Sequence, residues 1–378
     1  MKVRWALLFL AGSSLGAVAY FFLRGAHSAG PNPAAEKATR QICQYVKQFH
    51  PDGTRFTEQE IRAALSRGEV VPGDPSSAVL ADATALELSA SPASEPYDGI
   101  GVSVERRAGE RDLAVLTVFP GSPAETAGLA PGARIVSIEG RPAAGTALAL
   151  ATARLAGEPG SALRLAFWEP GGGALREKTL IRQPVRPPVL RGIDLGERVV
   201  GVRIGWFYDT LAVDLANTLK GTGGDPRGVV LDLRDCGGGS VTVALEAASL
   251  FLPSGTVLAE LHGPRWGAAP DALVTRGGAD FAGAPVCCLV NRRTASAAEI
   301  LAGGLAAAKR ARLIGERTFG KAAVQDRFPF DGGVLLLTVG RYRFVDGRGV
   351  EGGLAPEVAI DPASVGALDA ARDLLLKR

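Results

Sequence analysis

Residues 286–315 read VCCLVNRRTASAAEILAGGLAAAKRARLIG. The first five residues are apolar and rich in valine, which is typical of a strand buried on both faces. The alanine-rich stretch that follows predicts a helix over 297–309, and 312–315 predicts a second short strand. A strand, a helix and a strand in this order are typical of an α/β unit with parallel strands.

The same alternation continues on both sides of this stretch. Apolar runs predict strands at 199–204, 229–233 and 334–339, and helical periodicity predicts helices at 211–219, 241–251 and a surface helix at 365–376. We therefore expect an α/β core over residues 187–378, with a mixed, largely parallel sheet covered by helices.

Two further segments precede this core. Residues 36–95 predict an N-terminal helical segment, in which Thr57 and Glu60 form a capping box. Its last part, 81–95, is rich in alanine and serine and predicts a connection. Residues 96–186 predict a small β-rich module, because short apolar runs there alternate with glycine and proline turns.

Ser296 and Lys321 are the candidate catalytic pair. A serine hydroxyl becomes a nucleophile when a base takes its proton, and a lysine can be that base when it is neutral. Ser296 precedes a predicted helix, and the positive end of a helix dipole favours a developing oxyanion. Read alone, however, Ser296 and Glu299 form an ordinary capping box, and Lys321 is a solvated surface charge.

The residues around this pair resemble those of the carboxyl-terminal processing (tail-specific) peptidases. The similarity is strong in TASAAE (294–299) and GERTFGK (315–321). It implies that Ser296 is the nucleophile, that Lys321 is the general base, and that Gln325 is hydrogen-bonded to the lysine and fixes its position. An ordinary glutamine on a strand surface is the alternative for Gln325.

The segment 229–239, VVLDLRDCGGG, resembles the strand and glycine turn of the same family. Glycines after a strand let a backbone N–H approach a reacting carbonyl closely. By position, the resemblance implies an oxyanion hole formed by the N–H groups of Gly238 and Ala297. This chain has Asp-Cys-Gly at 235–237 where the family has Asn-Asn-Pro, which adds a negative charge. A turn without any ligand is the alternative.

Other departures from the family pattern lie close to the predicted site. Arg292 and Arg293 precede the serine where the family has small residues, and they predict either a preference for acidic substrates or two solvated charges. Ser76 stands where the family has a histidine, in a turn otherwise similar to Asp-Pro-His-Ser. The resemblance nevertheless extends over about residues 40–362.

Residues 96–186 resemble a PDZ domain. The similarity lies in the loop Gly99-Ile100-Gly101 and in residues 118–140, VFPGSPAETAGLAPGARIVSIEG. PDZ domains take up a chain terminus as an added strand and hold its carboxylate by the backbone N–H groups of a glycine loop. The resemblance thus implies Gly99, Ile100 and Gly101 as the peptide-binding loop. A buried hairpin with structural glycines is the alternative.

Residues 1–29 predict a membrane anchor or signal segment. A largely apolar run of 19 residues, 5–23, follows Lys2 and Arg4, and a helix of that length rises roughly 28 Å, close to the thickness of a bilayer's hydrocarbon core. We expect an uncleaved anchor with the rest of the chain on the exported, periplasmic side of the inner membrane. Small residues at 26–29 leave cleavage open as the alternative.

Composition narrows the function classes. The net charge is only +3, with no basic stripe, which excludes a nucleic-acid-binding protein. The four cysteines lack metal-ligand spacing and predict no disulfide; Cys287 and Cys288 should point to opposite faces of a strand. No cofactor and no metal are implied.

The sequence therefore predicts an α/β peptidase core with a PDZ domain and an N-terminal helical segment. The expected function is that of an exported serine endopeptidase, which captures the C-terminal tails of protein or peptide substrates and cleaves with a Ser/Lys dyad. A non-catalytic, PDZ-containing peptide-binding scaffold of the cell envelope is the alternative. Assembly into a homo-oligomer is left open.

Overall fold

The computed structural model describes residues 33–377, apart from 68, 75, 81–96, 107–109, 145, 147, 187–189, 222–224, 268, 332 and 365. The predicted anchor (1–29) and the predicted connection (81–95) lie outside these residues. Within the described ranges, no helix is both long enough and apolar enough to cross a membrane.

Two helices and a short strand form the N-terminal segment: α1 (Pro33–Phe49), α2 (Glu58–Ser66) and β1 (Ala78–Leu80). Ile42, Val46 and Ile61 are buried between the helices and the strands that follow later in the chain. The predicted capping box is confirmed, since the Thr57 side chain accepts from the Glu60 N–H and the Glu60 side chain accepts from the Thr57 N–H.

Apart from a 3-10 helix at Pro170–Gly172, the described part of the β-rich module has two short α-helices and eight strands. They are β2 (Tyr97–Gly99), β3 (Val102–Glu105), β4 (Leu113–Val118), α3 (Pro123–Thr126), β5 (Arg134–Ile138), β6 (Arg141–Pro142), α4 (Leu148–Leu155), β7 (Ala162–Trp168), β8 (Leu175–Ile181) and β9 (Gln183–Val185). The main sheet is antiparallel in the order β3-β4-β5-β7-β8, β6 pairs with β5, and β2 pairs with β9. Ile100, Leu113, Ile135, Leu163 and Phe167 fill a core that belongs to this module alone.

The third unit contains a six-stranded sheet, which includes the four strands predicted at 199–204, 229–233, 286–290 and 312–315. Its elements are β10 (Arg191–Asp194), β11 (Val199–Arg203), α5 (Leu211–Lys220), β12 (Gly228–Asp232), α6 (Val241–Ser249), β15 (Val286–Val290), α7 (Ala297–Ala307), β16 (Ala311–Gly315), β19 (Val358–Ala359) and α8 (Ala367–Leu376). The strand order is β10-β11-β12-β15-β16-β19. Only β10 and β11 pair antiparallel, so the prediction of a largely parallel sheet is confirmed.

Apolar side chains cover both faces of this sheet. Cys288 packs into the main core with α5, α6 and α7, whereas Cys287 packs on the opposite face against α8. The predicted division of the two cysteines is therefore confirmed. The C-terminal helix is more than a surface helix, because Ala367, Ala371 and Leu375 recur every fourth residue and are buried against the sheet.

A second, antiparallel sheet completes the unit. It contains β13 (Val257–His262), β14 (Asp271–Val274), β17 (Ala323–Phe330) and β18 (Gly333–Arg343), in the order β1-β18-β13-β14, with β17 also paired to β18. Of these, the sequence predicted only the strand at 334–339. Because β1 pairs with β18, the N-terminal segment is joined to the unit that carries Lys321.

Candidate active site

Ser296 lies in the short connection between β15 and α7, at the end of a parallel strand and the start of a helix. Its backbone has φ 56° and ψ −122°, a conformation that a non-glycine residue rarely adopts. Such conformations cost roughly 1–3 kcal/mol and persist where the surroundings hold them. The residue is half-buried.

Gly238 packs directly against this serine. A methyl group on Gly238 would lie 2.8 Å from Ser296 Cβ and 3.1 Å from the Ala297 nitrogen, and its φ is +103°. Only glycine fits these limits. Ala297 is the first residue of α7, and amides at this position have no carbonyl partner within the helix. The structure therefore brings together Gly238, Ser296 and Ala297.

The Gly238 turn is tied down by its neighbours. The Gly238 carbonyl accepts from the Phe207 N–H at 2.9 Å, and the Cys236 carbonyl accepts from the Ala295 N–H at 2.9 Å. Burial raises the pKa of the Cys236 thiol to about 12, and a hydrogen bond from the Gly238 N–H partly opposes that rise.

Glu299 connects the serine to the lysine loop. Its fully buried carboxylate accepts from the N–H groups of Ser296 (3.0 Å), Gly320 (2.8 Å) and Lys321 (3.0 Å) and from the Thr318 hydroxyl (2.5 Å). Burial raises the pKa of Glu299 to about 7, against the opposing effect of these four donors. The side chain thus does more than orient the start of α7.

The Lys321 side chain forms an ion pair with Glu105, the last residue of β3 in the β-rich module. Glu105 is 4% exposed and the lysine side chain is 25% exposed, so the contact is largely shielded from water. Among the described hydrogen bonds, none joins the Ser296 hydroxyl to the Lys321 ammonium. The two residues are connected through their backbones, whereas the lysine side chain is held elsewhere.

The Gln325 amide donates to the Ser76 carbonyl at 2.5 Å, and none of the described hydrogen bonds joins it to Lys321. The pairing of β17 with β18 is irregular at this point, between Val324 and Gln325. The expected hydrogen bond to the lysine is not among the described contacts, and the role of Gln325 stays a prediction. Instead, the Tyr342 hydroxyl donates to the Lys321 carbonyl at 2.8 Å.

The extra charge of the glycine turn is compensated locally. Asp235 accepts from Arg293 Nε at 2.6 Å and Asn291 Nδ2 at 2.8 Å, and it forms an ion pair with Arg203 at 3.1 Å. Burial raises the pKa of Asp235, but the charges of Arg293 and Arg203 and the hydrogen bonds from Asn291 and Arg293 together outweigh it, and the net pKa is lowered. Arg292 pairs with Glu316 at 2.9 Å. Both arginines thus have partners within the chain.

The β-rich module packs on the candidate site. The Thr117 hydroxyl of β4 donates to the Asp235 carbonyl at 2.5 Å and accepts from the Gly237 N–H at 3.1 Å. Beside it, Leu116 is buried with Ala295 and Phe319, residues that flank the serine and the lysine. The module therefore contacts both halves of the site.

The predicted peptide-binding loop is built as part of the module's core. Ile100 is fully buried. Its carbonyl accepts from the Ala124 N–H, and the Gly101 carbonyl accepts from the Phe119 N–H, both at 2.9 Å. The N–H groups of Val102 and Gly101 face the Tyr97 phenol oxygen, and burial raises the pKa of that phenol to about 12. Gly99 pairs with Gln183.

A cleft of about 720 Å³ opens beside Lys321 between the module, the N-terminal segment and the core. It is lined by charged and polar residues that include Asp74, Ser76, Glu105, Arg106, Glu316, Lys321 and Arg341. Within the described ranges, no group of three or more histidine, cysteine, aspartate or glutamate side chains could hold a metal ion.

Sequence reasoning missed Glu105 and Thr117, and it understated Glu299. The signal for Glu105 was present, since Ser103 and Glu105 alternate along β3 and share one face of the strand. A methyl group on Gly237 would lie 2.4 Å from Ser103 Oγ, so this polar face does meet the core.

Comparison with known proteins agrees with this architecture. The sequence model of peptidase family S41 matches residues 200–360, and that of the PDZ domain matches residues 115–169. The C-terminal processing peptidase of Tetradesmus obliquus chloroplasts is 31% identical over 343 residues, which cover 84% of this chain and 71% of the relative. The chain belongs to peptidase family S41.

Further S41 relatives are similar over shorter ranges. A carboxyl-terminal-processing protease of Synechocystis sp. is 33% identical over 252 residues, which cover 65% of this chain and 58% of the relative. Among solved structures, the photosystem II D1 C-terminal processing protease superposes with a TM-score of 0.72 at 25% identity, covering 91% of this chain and 98% of that one. The family assignment makes the enzyme class a serine-type peptidase.

Proposed function

We propose that this S41 peptidase is an endopeptidase that takes up the C-terminal tails of protein substrates through its PDZ domain and cleaves them with Ser296 and Lys321. The observation that carries the proposal is the strained Ser296 at the start of α7, packed against Gly238. A nucleophile in this position lies next to two backbone amides, those of Gly238 and Ala297, that could receive an oxyanion.

The proposed reaction proceeds in two steps. Ser296 Oγ attacks the scissile carbonyl while neutral Lys321 takes its proton, and the oxyanion forms beside Gly238 and Ala297. Lys321 then gives the proton to the leaving amine as the peptide bond breaks. Water, deprotonated by the same lysine, attacks the acyl-enzyme and releases the new C-terminus and Ser296. Gln325 retains a proposed role in holding Lys321 when the lysine faces the serine.

Before this chemistry, the Lys321 side chain has to move, because its ammonium is paired with Glu105. This contact lies on the PDZ domain, since Glu105 is on β3. The same domain holds the glycine turn through Thr117 of β4. We therefore propose a resting form, in which a tail bound at Gly99, Ile100 and Gly101 shifts the PDZ domain and releases the lysine.

Export and anchoring belong to the same proposal. The basic and apolar pattern of residues 1–29 supports an anchor, and S41 relatives include bacterial and chloroplast processing proteases. Attachment to the periplasmic side of the inner membrane is expected, and protease protection of the chain in intact spheroplasts and after their opening would test it.

The decisive experiment is a degradation assay with a globular protein that carries an apolar C-terminal tail. Wild type, Ser296→Ala and Lys321→Ala are compared with the same substrate and with one that lacks the tail. We expect turnover of the tailed substrate by wild type alone, and a fall of at least about 1,000-fold in both variants, because dyad members act as a unit. Persistent cleavage by Lys321→Ala would exclude the dyad mechanism.

A non-catalytic scaffold is the second candidate. The pairing of Lys321 with Glu105 and the turn of Gln325 toward Ser76 favour it, because neither side chain faces the serine. A scaffold would bind the tail tightly without turnover, and a serine-directed phosphonate would fail to label Ser296 even with a tail peptide present. Labelling that the peptide accelerates would favour the enzyme.

A further inference from the structure

One oxygen atom of Glu299 joins the two candidate catalytic backbones. Oε2 accepts from both the Ser296 N–H and the Lys321 N–H, at 3.0 Å each. Oε1 accepts from the Gly320 N–H at 2.8 Å and from the Thr318 hydroxyl at 2.5 Å. The carboxylate therefore bonds to both ends of a site whose members are 25 residues apart in the sequence.

The lysine loop is shaped around this carboxylate. Gly320 has φ +97°, and a methyl group there would lie 2.7 Å from the Gly353 nitrogen. This conformation points the successive N–H groups of Gly320 and Lys321 at one anion, an arrangement that binds negative charge well. The Thr318 hydroxyl, which donates to Glu299, also accepts from the Leu354 N–H at 2.7 Å.

The serine side of the contact is equally specific. Ser296 is held at a positive φ, and its N–H is directed to Glu299 rather than into the turn that precedes it. The Ser296 carbonyl in turn accepts from the N–H groups of Glu299 (2.8 Å) and Ile300 (3.0 Å). Glu299 is therefore hydrogen-bonded to both the N–H and the carbonyl of the strained Ser296.

We propose that Glu299 is a positioning residue for catalysis, which sets the distance between the Ser296 and Lys321 backbones while touching neither substrate nor reacting atoms. The inference rests on the proposed dyad. Because the lysine backbone is fixed by Glu299, its side chain needs only to turn from Glu105 toward the serine. Loss of this bond is expected to lower the rate of acylation and to leave substrate binding unchanged.

The test compares Glu299→Gln with wild type in the full chain, using the tailed substrate. A glutamine has one acceptor oxygen, so in either orientation its NH₂ group meets an N–H donor of the site. We expect kcat to fall about 100-fold, the effect of a misplacement of roughly 1 Å. KM and the affinity for a tail peptide should change by less than about two-fold. Labelling of Ser296 by a small phosphonate should slow in parallel with kcat.

Two milder variants test the same role in case Glu299→Gln does not fold. Thr318→Val removes one donor to Glu299, and Thr318→Ser restores it. We expect kcat about 10-fold below wild type for the first and close to wild type for the second. Thr275→Val is the matched control, because Thr275 is also buried and hydrogen-bonded, to Pro253 and Thr256, but lies in β14's turn away from the site.

Four outcomes separate the possibilities. A folded Glu299→Gln that keeps its kcat would overturn the positioning role, as would equal losses of kcat in Thr318→Val and Thr275→Val. A fall in kcat limited to the Glu299 and Thr318→Val variants supports it. If wild type itself shows no Ser296-dependent turnover, the failure belongs to the proposed function.

Discussion

At the scale of single residues, two carboxylates bind different parts of Lys321. Glu105 holds the Lys321 side chain and Glu299 holds its backbone. The first contact holds the ammonium in an ion pair away from the serine, whereas a general base has to face the hydroxyl whose proton it takes. We therefore propose that Glu105 inhibits catalysis and that Glu299 supports it, although both are buried acids beside the same residue.

We expect Glu105→Gln to raise cleavage of a substrate that lacks a tail. A neutral amide binds the ammonium less strongly than a carboxylate does. In a larger fraction of the protein, the Lys321 side chain should therefore be free to turn toward Ser296. A rise of about 10-fold would correspond to a shift of roughly 1.4 kcal/mol between the two forms. Glu316→Gln is the matched control, since Glu316 lines the same cleft but pairs with Arg292. Equal basal rates in the two variants would argue against the inhibitory contact.

Because the pKa of Glu299 is raised, we expect the free energy of unfolding to depend on pH. Because its pKa in the folded protein is about 7 and its ordinary value is 4.5, the folded state binds the proton more tightly between these values. The contribution of this group to the free energy of unfolding is therefore greatest below pH 4.5 and is lost as the pH rises to 7, by on the order of 3 kcal/mol. The free energy of unfolding in urea should be measured for wild type and Glu299→Gln at several pH values. The difference between the two proteins should change between pH 4.5 and pH 7. A constant difference would contradict the shift.

At the scale of secondary-structure elements, the parallel sheet could be predicted because its strands are buried on both faces. Val286–Val290 is apolar throughout, and the helix that follows is long enough to be recognised. The antiparallel sheet was harder, since β13 and β14 mix polar and apolar residues that only their partners explain. Contacts between elements far apart in the chain, such as Glu105 with Lys321, depend on how the PDZ domain packs, and no local pattern fixes that.

The α7 helix carries two glycines, Gly303 and Gly304, whose presence is explained by packing. A methyl group on Gly303 would lie 2.2 Å from the Phe344 ring, which is fully buried. Alanine is the better helix former by about 1 kcal/mol, but overpacking costs roughly 1–3 kcal/mol. We therefore expect Gly303→Ala to lower the free energy of unfolding in urea. A stabilised variant would show that the ring moves aside without cost.

At the scale of the whole molecule, the PDZ domain contacts the glycine turn and the lysine of the site that it is proposed to control. The Gly237 N–H donates to Thr117 Oγ1, so this amide is protected only while the PDZ domain stays in place. We expect a tail peptide to speed hydrogen exchange at Gly237 in the inactive Ser296→Ala variant. The Val230 amide, in the centre of the parallel sheet, is the control and should not change. Unchanged exchange at Gly237 would place the peptide-driven motion elsewhere.

Glu105 binds the Lys321 side chain and Glu299 binds its backbone, and these two contacts have a consequence for the time course of activation. With the backbone already fixed, the lysine needs only a rotamer change once the ion pair with Glu105 is broken, and freed side chains make such changes in picoseconds to nanoseconds. Rearrangement of packed domains takes microseconds to milliseconds. Any lag before the first turnover would therefore report the displacement of the PDZ sheet, and it should shorten as the tail concentration rises until that displacement sets the limit.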